Sequence, residues 1–377
     1  MKIVFVSGAR PNYMKIAPLI WAIRRLKQQG IADIQFALIH TGQHYDPQLF
    51  DVFFRELDLP PPDYSLGVGS GSHVYQIAQV MERIEPLVEA TQPDVVVVVG
   101  DVNSTLAAAL TAAKLGIPLA HVEAGLRSFD RTMPEETNRL VTDTLSDFLF
   151  VSEESGRENL LREGIASGKI FFVGNVMIDS LQQSRLVWES SKIRDDMGLR
   201  NGDYGVVTLH RPSNVDNPDT LRQIMGALAE VAKDIPIIFP VHPRTRKQLE
   251  LMNGSAPSLC LRSGRIEADG IYDLEPLGYH EFMALVAGAR VVLTDSGGIQ
   301  EETTFLNVPC LTLRHNTERP VTVSHGTNRI IGTSPAAIVE EASRVLKNPK
   351  PALPPPPLWD GKSADRILSI LGAEKAA

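Results

Sequence analysis

Residues 95–99 are five consecutive valines, and no other stretch of the chain restricts its fold as much. β-Branched side chains favour extended backbone, and an apolar run without alternation offers no polar face to water. Such a strand is buried on both sides, the situation of a central strand in a parallel sheet covered by helices. The rest of the first half agrees. Strand-like runs at Ile3–Val6, Phe36–Ile39, Leu119–Val122, Phe148–Val151 and Ile170–Val173 alternate with helical patterns at Met14–Lys27, His73–Ala90, Ser104–Leu115, Glu135–Leu145 and Glu154–Glu163. A second series follows Gly174. Its strands are Gly205–Leu209, Ile237–Pro240, Leu259–Leu261, Val291–Leu293 and Cys310–Leu313, and its helices include Pro218–Lys233, His280–Ala289 and Gly298–Leu306. This alternation predicts an α/β fold of two Rossmann-like, doubly wound domains.

A length of 377 residues exceeds what one hydrophobic core usually serves. The expected division is a first domain over 1–174, a second over 175–358 and a terminal segment over 359–377. Ser180–Asn201 joins the halves as the hinge region. The Pro-rich stretch Pro349–Pro357 is extended and fairly stiff, and it carries a final helix from Ser363 back over the first domain. Two such domains facing a central cleft would bind ligand at the carboxyl ends of their strands. A net charge of -8 argues against nucleic acid as a partner. No apolar run is long enough for a bilayer, and MKIVFVSGAR reads as a strand rather than a signal peptide, so the cytoplasm is the expected compartment. Cys260 and Cys310 both lie in apolar runs as reduced core thiols.

The polar clusters fall at strand ends. GARPNYMK, residues 8–15, lacks the G-x-G-x-x-G spacing, so no bound NAD is expected there. It sets Arg10 at the strand end and Lys15 in the first helical turn, as a solvated pair or as an anion-binding one. In GDVNST, residues 100–105, Asn103 or Ser104 can cap the next helix, which leaves Asp101 without a role. HVEAGLR places Glu123 at a strand end. MPEETNR puts Pro134, Glu135 and Glu136 at a helix start, which is also ordinary N-terminal chemistry. If Asp101, Glu123 and Glu135 converge, their repulsion raises some pKa values and creates acid/base pairs. LTDSGGIQEE, residues 293–302, joins a strand through Ser296, Gly297 and Gly298 to a helix whose free N–H groups can hold an anion; Glu301 and Glu302 stand one turn later to accept from hydroxyls. His210 and Arg211 in LHRPSN can meet a diphosphate. His242, Arg244 and Arg246 form a further basic rim. Tyr279 and Phe282 either flank a flat base or anchor the core. No metal constellation appears: His40 and His44 sit around a turn without the glutamate of H-E-x-x-H.

Taken in order, GARPNYMK, TGQH, GDVNST, HVEAGLRS, MPEETNR, LTDSGGIQEE and TERPVT resemble the non-hydrolysing UDP-N-acetylglucosamine 2-epimerases over nearly the whole chain. The resemblance implies the two-domain architecture of the glycosyltransferase-B class, a UDP-sugar substrate, a homodimer, no cofactor and a place in polysaccharide biosynthesis. It implies Arg10 and His210 on the UDP phosphates, Ser296, Gly297 and Gly298 as the phosphate-binding turn and Glu302 on the ribose. Asp101, Glu123 and Glu135 match the family's acid/base carboxylates, Lys15 its active-site lysine, and His210 stands with the catalytic set.

Three departures stand out. The first motif lacks the usual G-T-R-P-E, the histidine motif lacks a carboxylate, and Tyr45-Asp46 replaces the usual continuation after the Gln43-His44 pair. With no arginine between Arg55 and Arg83, weak or absent activation by substrate is expected. The alternatives are a 2-epimerase of UDP-2,3-diacetamido-2,3-dideoxyglucuronic acid, with Arg127 or Arg211 on its C6 carboxylate, a hydrolysing epimerase, and a glycosyltransferase of the same architecture. A pure nucleotide-binding module is disfavoured because it would leave the acidic cluster uncompensated.

Overall fold

The valine run is a strand with all five residues buried, at the middle of a parallel sheet. The computed structural model describes residues 1–43, 54–252, 261–262, 266, 269–348 and 352–376. By contacts the chain divides into two units, residues 1–183 with 357–377, and residues 184–356.

The first unit holds β1 (Lys2–Ser7), β2 (Gln35–His40), β3 (Tyr64–Ser65), β4 (Val95–Val99), β5 (Leu119–Val122), β6 (Phe148–Val151) and β7 (Ile170–Phe172) in the order β3-β2-β1-β4-β5-β6-β7. All neighbours pair in parallel. Val4, Val6, Val96 and Val98 face Val80, Ile84, Ala108 and Ala112 of the covering helices. The small alanines of helix Asn103–Leu115 let it lie close on the sheet.

The second unit holds β8 (Gly205–Thr208), β9 (Ile237–Pro240), β10 (Leu261–Arg262), β11 (Ile271–Leu274), β12 (Val291–Thr294), β13 (Cys310–Thr312) and β14 (Asn328–Ile330) in the order β10-β11-β9-β8-β12-β13-β14, again parallel. Its core joins Val207, Phe239, Val291 and Leu311 to Leu221, Ile224 and Leu228 of helix Pro218–Val231.

Several elements differ from the sequence reading. Helix Val176–Gln183 packs on helix Arg10–Gln28 and belongs with the first unit, so the division falls after Gln183 rather than after Gly174. Short helices Arg185–Glu189 and Ile193–Met197 occupy much of the expected hinge. β3, β11 and β14 are additional strands. They are short or carry polar residues, and alternation over so few positions gives no signal. Helices Pro243–Met252 and Pro335–Lys347 are additional too. The final helix, Ser363–Ala376, packs on Arg10–Gln28 and Val176–Gln183, and Trp359 before it is buried with its Nε1–H donating to Ser152 O at 3.0 Å. Cys310 is buried and free, and burial pushes its thiol up to about 11; Cys260 lies outside the described residues.

Candidate active site

In the first unit the polar residues cluster where β1, β4 and β5 end, at the point where successive connections leave the sheet in opposite directions. Asn12, in the first turn of helix Arg10–Gln28, accepts from the Gly8 and Ala9 N–H groups at 3.0 Å each and donates to Val99 O at 3.0 Å. It ties the end of β1 to the end of β4. Gly8 is required there, because a Cβ would lie 2.1 Å from Ser104 Oγ. Lys15, on the same helix, is buried and places Nζ 2.5 Å from Glu123 Oε2. A Cβ on Gly100, whose φ is +67°, would lie 2.9 Å from that Nζ.

Glu123 follows β5 with φ of +71°, a conformation costly for a residue with a Cβ. Its N–H and that of Ala124 both donate to Phe150 O at 3.0 Å, which holds the strained turn. Arg139, from helix Pro134–Leu145, reaches Asp101 Oδ2 at 2.5 Å and Glu123 Oε1 at 3.2 Å, and also donates to the Glu123 carbonyl. Glu123 is therefore enclosed between two cations, whereas the Asp101 side chain is 28% exposed. The expected mutual repulsion of the carboxylates is offset by Lys15 and Arg139. The cluster is compensated, and so does not itself count against a nucleotide-binding module.

The two glutamates at the helix start divide their work. Glu136 accepts from Ser128 N and Ser128 Oγ at 2.8 Å each and from Phe129 N at 3.2 Å. Glu135 is half-buried, and among the described residues no ion pair or side-chain hydrogen bond joins it to the cluster. It stands one helical turn before Arg139, on the same face.

Behind these groups lies a buried charged network. His121 meets Asp143 Oδ1 at 2.6 Å through Nδ1 and Gly100 O at 2.8 Å through Nε2. Asp143 also accepts from Gly125 N at 3.1 Å and pairs with Arg127 at 2.7 Å, and Arg127 forks onto Glu163 at 2.8 and 2.6 Å. Burial opposes the charge of Asp143, but His121 and Arg127 hold its carboxyl below the usual range. Arg127 is thus consumed internally and is not placed to meet a substrate carboxylate. Asn103 caps no helix, since Val102 is the N-cap residue; its amide instead bonds Gln76 at 2.8 Å and receives Asn138 at 3.2 Å.

In the second unit the corresponding strand ends carry cations and free N–H groups. Asp295, fully buried after β12, accepts from Arg211 N at 2.9 Å, His210 N at 3.1 Å, Asn214 Nδ2 at 3.2 Å and His210 Nδ1 at 2.8 Å. Burial opposes its ionisation, yet the bonds from His210 and the backbone hold its carboxyl low. The His210 side chain is 38% exposed, with Nδ1 committed to Asp295. Helix Gly297–Phe305 begins after Ser296 with no side chain capping its first turn. Its first-turn N–H donors are aligned and uncapped by any side chain, the arrangement that an anion could meet. Arg319 lies directly over Gly297, where a Cβ would be 2.9 Å from its Nη1.

Arg319, within TERPVT, carries no local signal of this role, since its partner Glu301 lies elsewhere in the chain. It pairs with Glu301 at 3.0 Å and lies 3.6 Å from Glu318, which Arg314 holds at 2.6 Å. Burial works against the Glu318 charge, but Arg314 and Arg319 bring its carboxyl down to about 2. Glu301 is therefore taken by Arg319. Glu302 is buried with the Tyr279 hydroxyl towards it, and burial together with that carboxylate pushes the phenol well above its usual value. Tyr279 is buried rather than presenting a face, Phe282 and Gly298 are half-buried, and Arg244 and Arg246 are occupied by Asp216 and Asp273, as a rim would be. Arg10 opens its helix, but its side chain lies outside the described part, as do His44, Tyr45 and Asp46.

The family model described as UDP-N-acetylglucosamine 2-epimerase matches residues 24–372. A Methanocaldococcus jannaschii protein named UDP-N-acetylglucosamine 2-epimerase is 43% identical over 98% of this chain and 99% of its own. A Pseudomonas aeruginosa protein named UDP-2,3-diacetamido-2,3-dideoxy-D-glucuronate 2-epimerase is 39% identical over 92% of each. The crystal structure of the Methanocaldococcus jannaschii UDP-GlcNAc 2-epimerase in complex with UDP-GlcNAc and UDP aligns with a TM-score of 0.87 at 42% identity, covering 99% of this chain and all of that one. The family match over most of the length, the full-length similarity and the matching structure agree: this chain belongs to the UDP-N-acetylglucosamine 2-epimerase family and is an epimerase.

Proposed function

We propose that the protein interconverts UDP-N-acetylglucosamine and UDP-N-acetylmannosamine without net hydrolysis. The C2 hydrogen has no adjacent carbonyl, so simple deprotonation there is too slow to be useful. Elimination solves this. A carboxylate takes the C2 proton, the C1–O bond breaks with its electron pair leaving on UDP, and a 2-acetamidoglucal forms. UDP then re-adds at C1 while a proton reaches the opposite face of C2. Asp101, Glu123 and Glu135 form the acid/base set, and Lys15 holds Glu123 in place. His210, Arg10, Ser296, Gly297 and Gly298 hold the departing diphosphate, Glu302 the ribose and the half-buried Phe282 the nucleotide end, with the buried Tyr279 behind Glu302 as its support.

The observation that carries this reading is the position of Glu123, strained at a strand end and enclosed by Lys15 and Arg139 beside the more exposed Asp101. The test is incubation with UDP-N-acetylglucosamine in deuterated water, followed by NMR. Deuterium at C2 with UDP-N-acetylmannosamine formed is the expected result; free N-acetylmannosamine plus UDP, or turnover only with an acceptor, overturns it.

The Pseudomonas aeruginosa relative favours a second reading, epimerisation of the diacetamido-uronate. With Arg127 consumed, Arg211 is the cation for its C6 carboxylate: the Arg211 side chain is 26% exposed, with Glu318 3.9 Å away. Exchange with the uronate alone selects that reading. The homodimer implied by the resemblance belongs to either reading. Weak activation by substrate follows from Tyr45-Asp46, and a sigmoidal rate curve would contradict it.

A further inference from the structure

Helix Arg10–Gln28 contains Pro18. In an α-helix the N–H of residue i+4 donates to the carbonyl of residue i, and proline has no N–H to give. Pro18 therefore removes the helical donor of the Met14 carbonyl. Met14 is buried, where a carbonyl without its donor is costly. The structure supplies a replacement from far along the chain: Ser180 Oγ, fully buried on helix Val176–Gln183, donates to Met14 O. The next residue after Met14 is Lys15, whose Nζ lies 2.5 Å from Glu123 Oε2.

The helix that carries Ser180 is itself anchored. Asp179 accepts from Ala364 N at 2.8 Å at the start of the final helix, and that helix packs on both Val176–Gln183 and Arg10–Gln28. A continuous set of contacts thus runs from the returning C-terminal segment through Asp179 and Ser180 to the helical turn that carries Lys15.

We propose that Ser180 is a positioning residue for Lys15. By taking the carbonyl that Pro18 leaves without its helical donor, it fixes the pitch and tilt of the helical turn from which the lysine reaches Glu123. The inference rests on the reading of Lys15 as an active-site residue given above. The Lys15 side chain is buried, so packing holds its stem and a tilt at its Cα is carried through to Nζ. Misplacement of an active-site group by about 1 Å can cost roughly a hundredfold in rate.

The test is a cycle of variants assayed with UDP-N-acetylglucosamine, each checked for folding by circular dichroism and thermal unfolding. Ser180→Ala is expected to lower kcat about tenfold or more while KM and UDP affinity stay within about twofold. Ser180→Thr, which keeps the hydroxyl, should stay close to the parent rate. The decisive arm is Pro18→Ala combined with Ser180→Ala. Replacing the proline restores a backbone N–H to the Met14 carbonyl, and kcat should return to within about threefold of the parent, an expectation that follows from helical hydrogen bonding alone. An unchanged kcat in Ser180→Ala overturns the proposal, as does a folded double variant that is not rescued. Lys15→Met separates the two readings: full activity there removes the premise for Lys15, whereas a slow Lys15→Met with a fully active Ser180→Ala removes only the positioning role of Ser180.

Discussion

The two units build the same core sheet and arrange the charged groups at its ends differently. β3-β2-β1-β4-β5-β6 matches β11-β9-β8-β12-β13-β14 in order and direction, with β7 and β10 as the additional edge strands. In the first unit Glu123 and Asp101 follow β5 and β4, with Lys15 and Arg139 set among them. In the second the acids are consumed inside: Asp295 by His210 and backbone N–H groups, Glu301 by Arg319, Glu318 by Arg314. What remains there is a glycine-lined helix start, with an arginine over it and an exposed histidine. On the function proposed above, the first of these ends would transfer protons and the second would hold the anion.

The sharpest way to break this division is Glu123→Gln. Turnover should fall about 10³- to 10⁴-fold, in the upper range for removing a general acid or base, while UDP binding by calorimetry stays unchanged. Equal loss of UDP affinity would mean that the first unit holds the leaving group as well. Next in size is Arg127→Met, which leaves buried Asp143 short of a cation. Unfolding in urea should show a loss of about 3–5 kcal/mol, and a loss below about 1 kcal/mol would mean that the network behind Glu123 is not a structural support.

Asp179 gives a pH-dependent test of the latch between the first unit and its returning helix. Burial, opposed by bonds from Ala364 and Ser363, raises its carboxyl from 3.8 to about 6. Below pH 4 both folded and unfolded chains hold the proton. Between about 4 and 6 the folded chain keeps a proton that the unfolded chain has lost, so stability falls as pH rises, by about 3 kcal/mol in all. Asp179→Asn should remove that slope, and thermal unfolding of both proteins across pH 4–7 would reveal it; parallel curves would rule the contribution out. The smallest effect belongs to Gly297→Ala. Its Cβ would meet Arg319 Nη1 at 2.9 Å, and the flexible guanidinium has to shift. UDP should bind about tenfold more weakly, equivalent to ~1.4 kcal/mol, with kcat nearly unchanged; an unaltered affinity would remove Gly297 and Arg319 from the anion site.

Much of this was legible in the chain. The valine run and the helical periods following it are local patterns, and they placed both parallel sheets and nearly every motif at a strand end. Pro134 does open its helix, as its fixed φ favours. The acidic pair after it could not be sorted. Glu136 turns back to three donors in residues 128–129 while Glu135 does not, and that choice depends on how the preceding loop folds. Arg139 lay in plain view within MPEETNR, but its bonds to Asp101 and Glu123 exist only once its helix lies across the ends of β4 and β5.

The sequence alone determined the α/β class, the strand-end location of the polar motifs and the family, because hydrophobic period and turn residues act over a few positions. Tertiary structure decided which charges are spent and which remain available. Arg127 reads like Arg211 in the chain, but is buried between Asp143 and Glu163. Ser180 meets the carbonyl left without its helical donor by Pro18 only because the chain, 166 positions further on, returns to the first helix. Ion pairs and hydrogen bonds form within about 3 Å, and only packing brings groups so distant in sequence within that range.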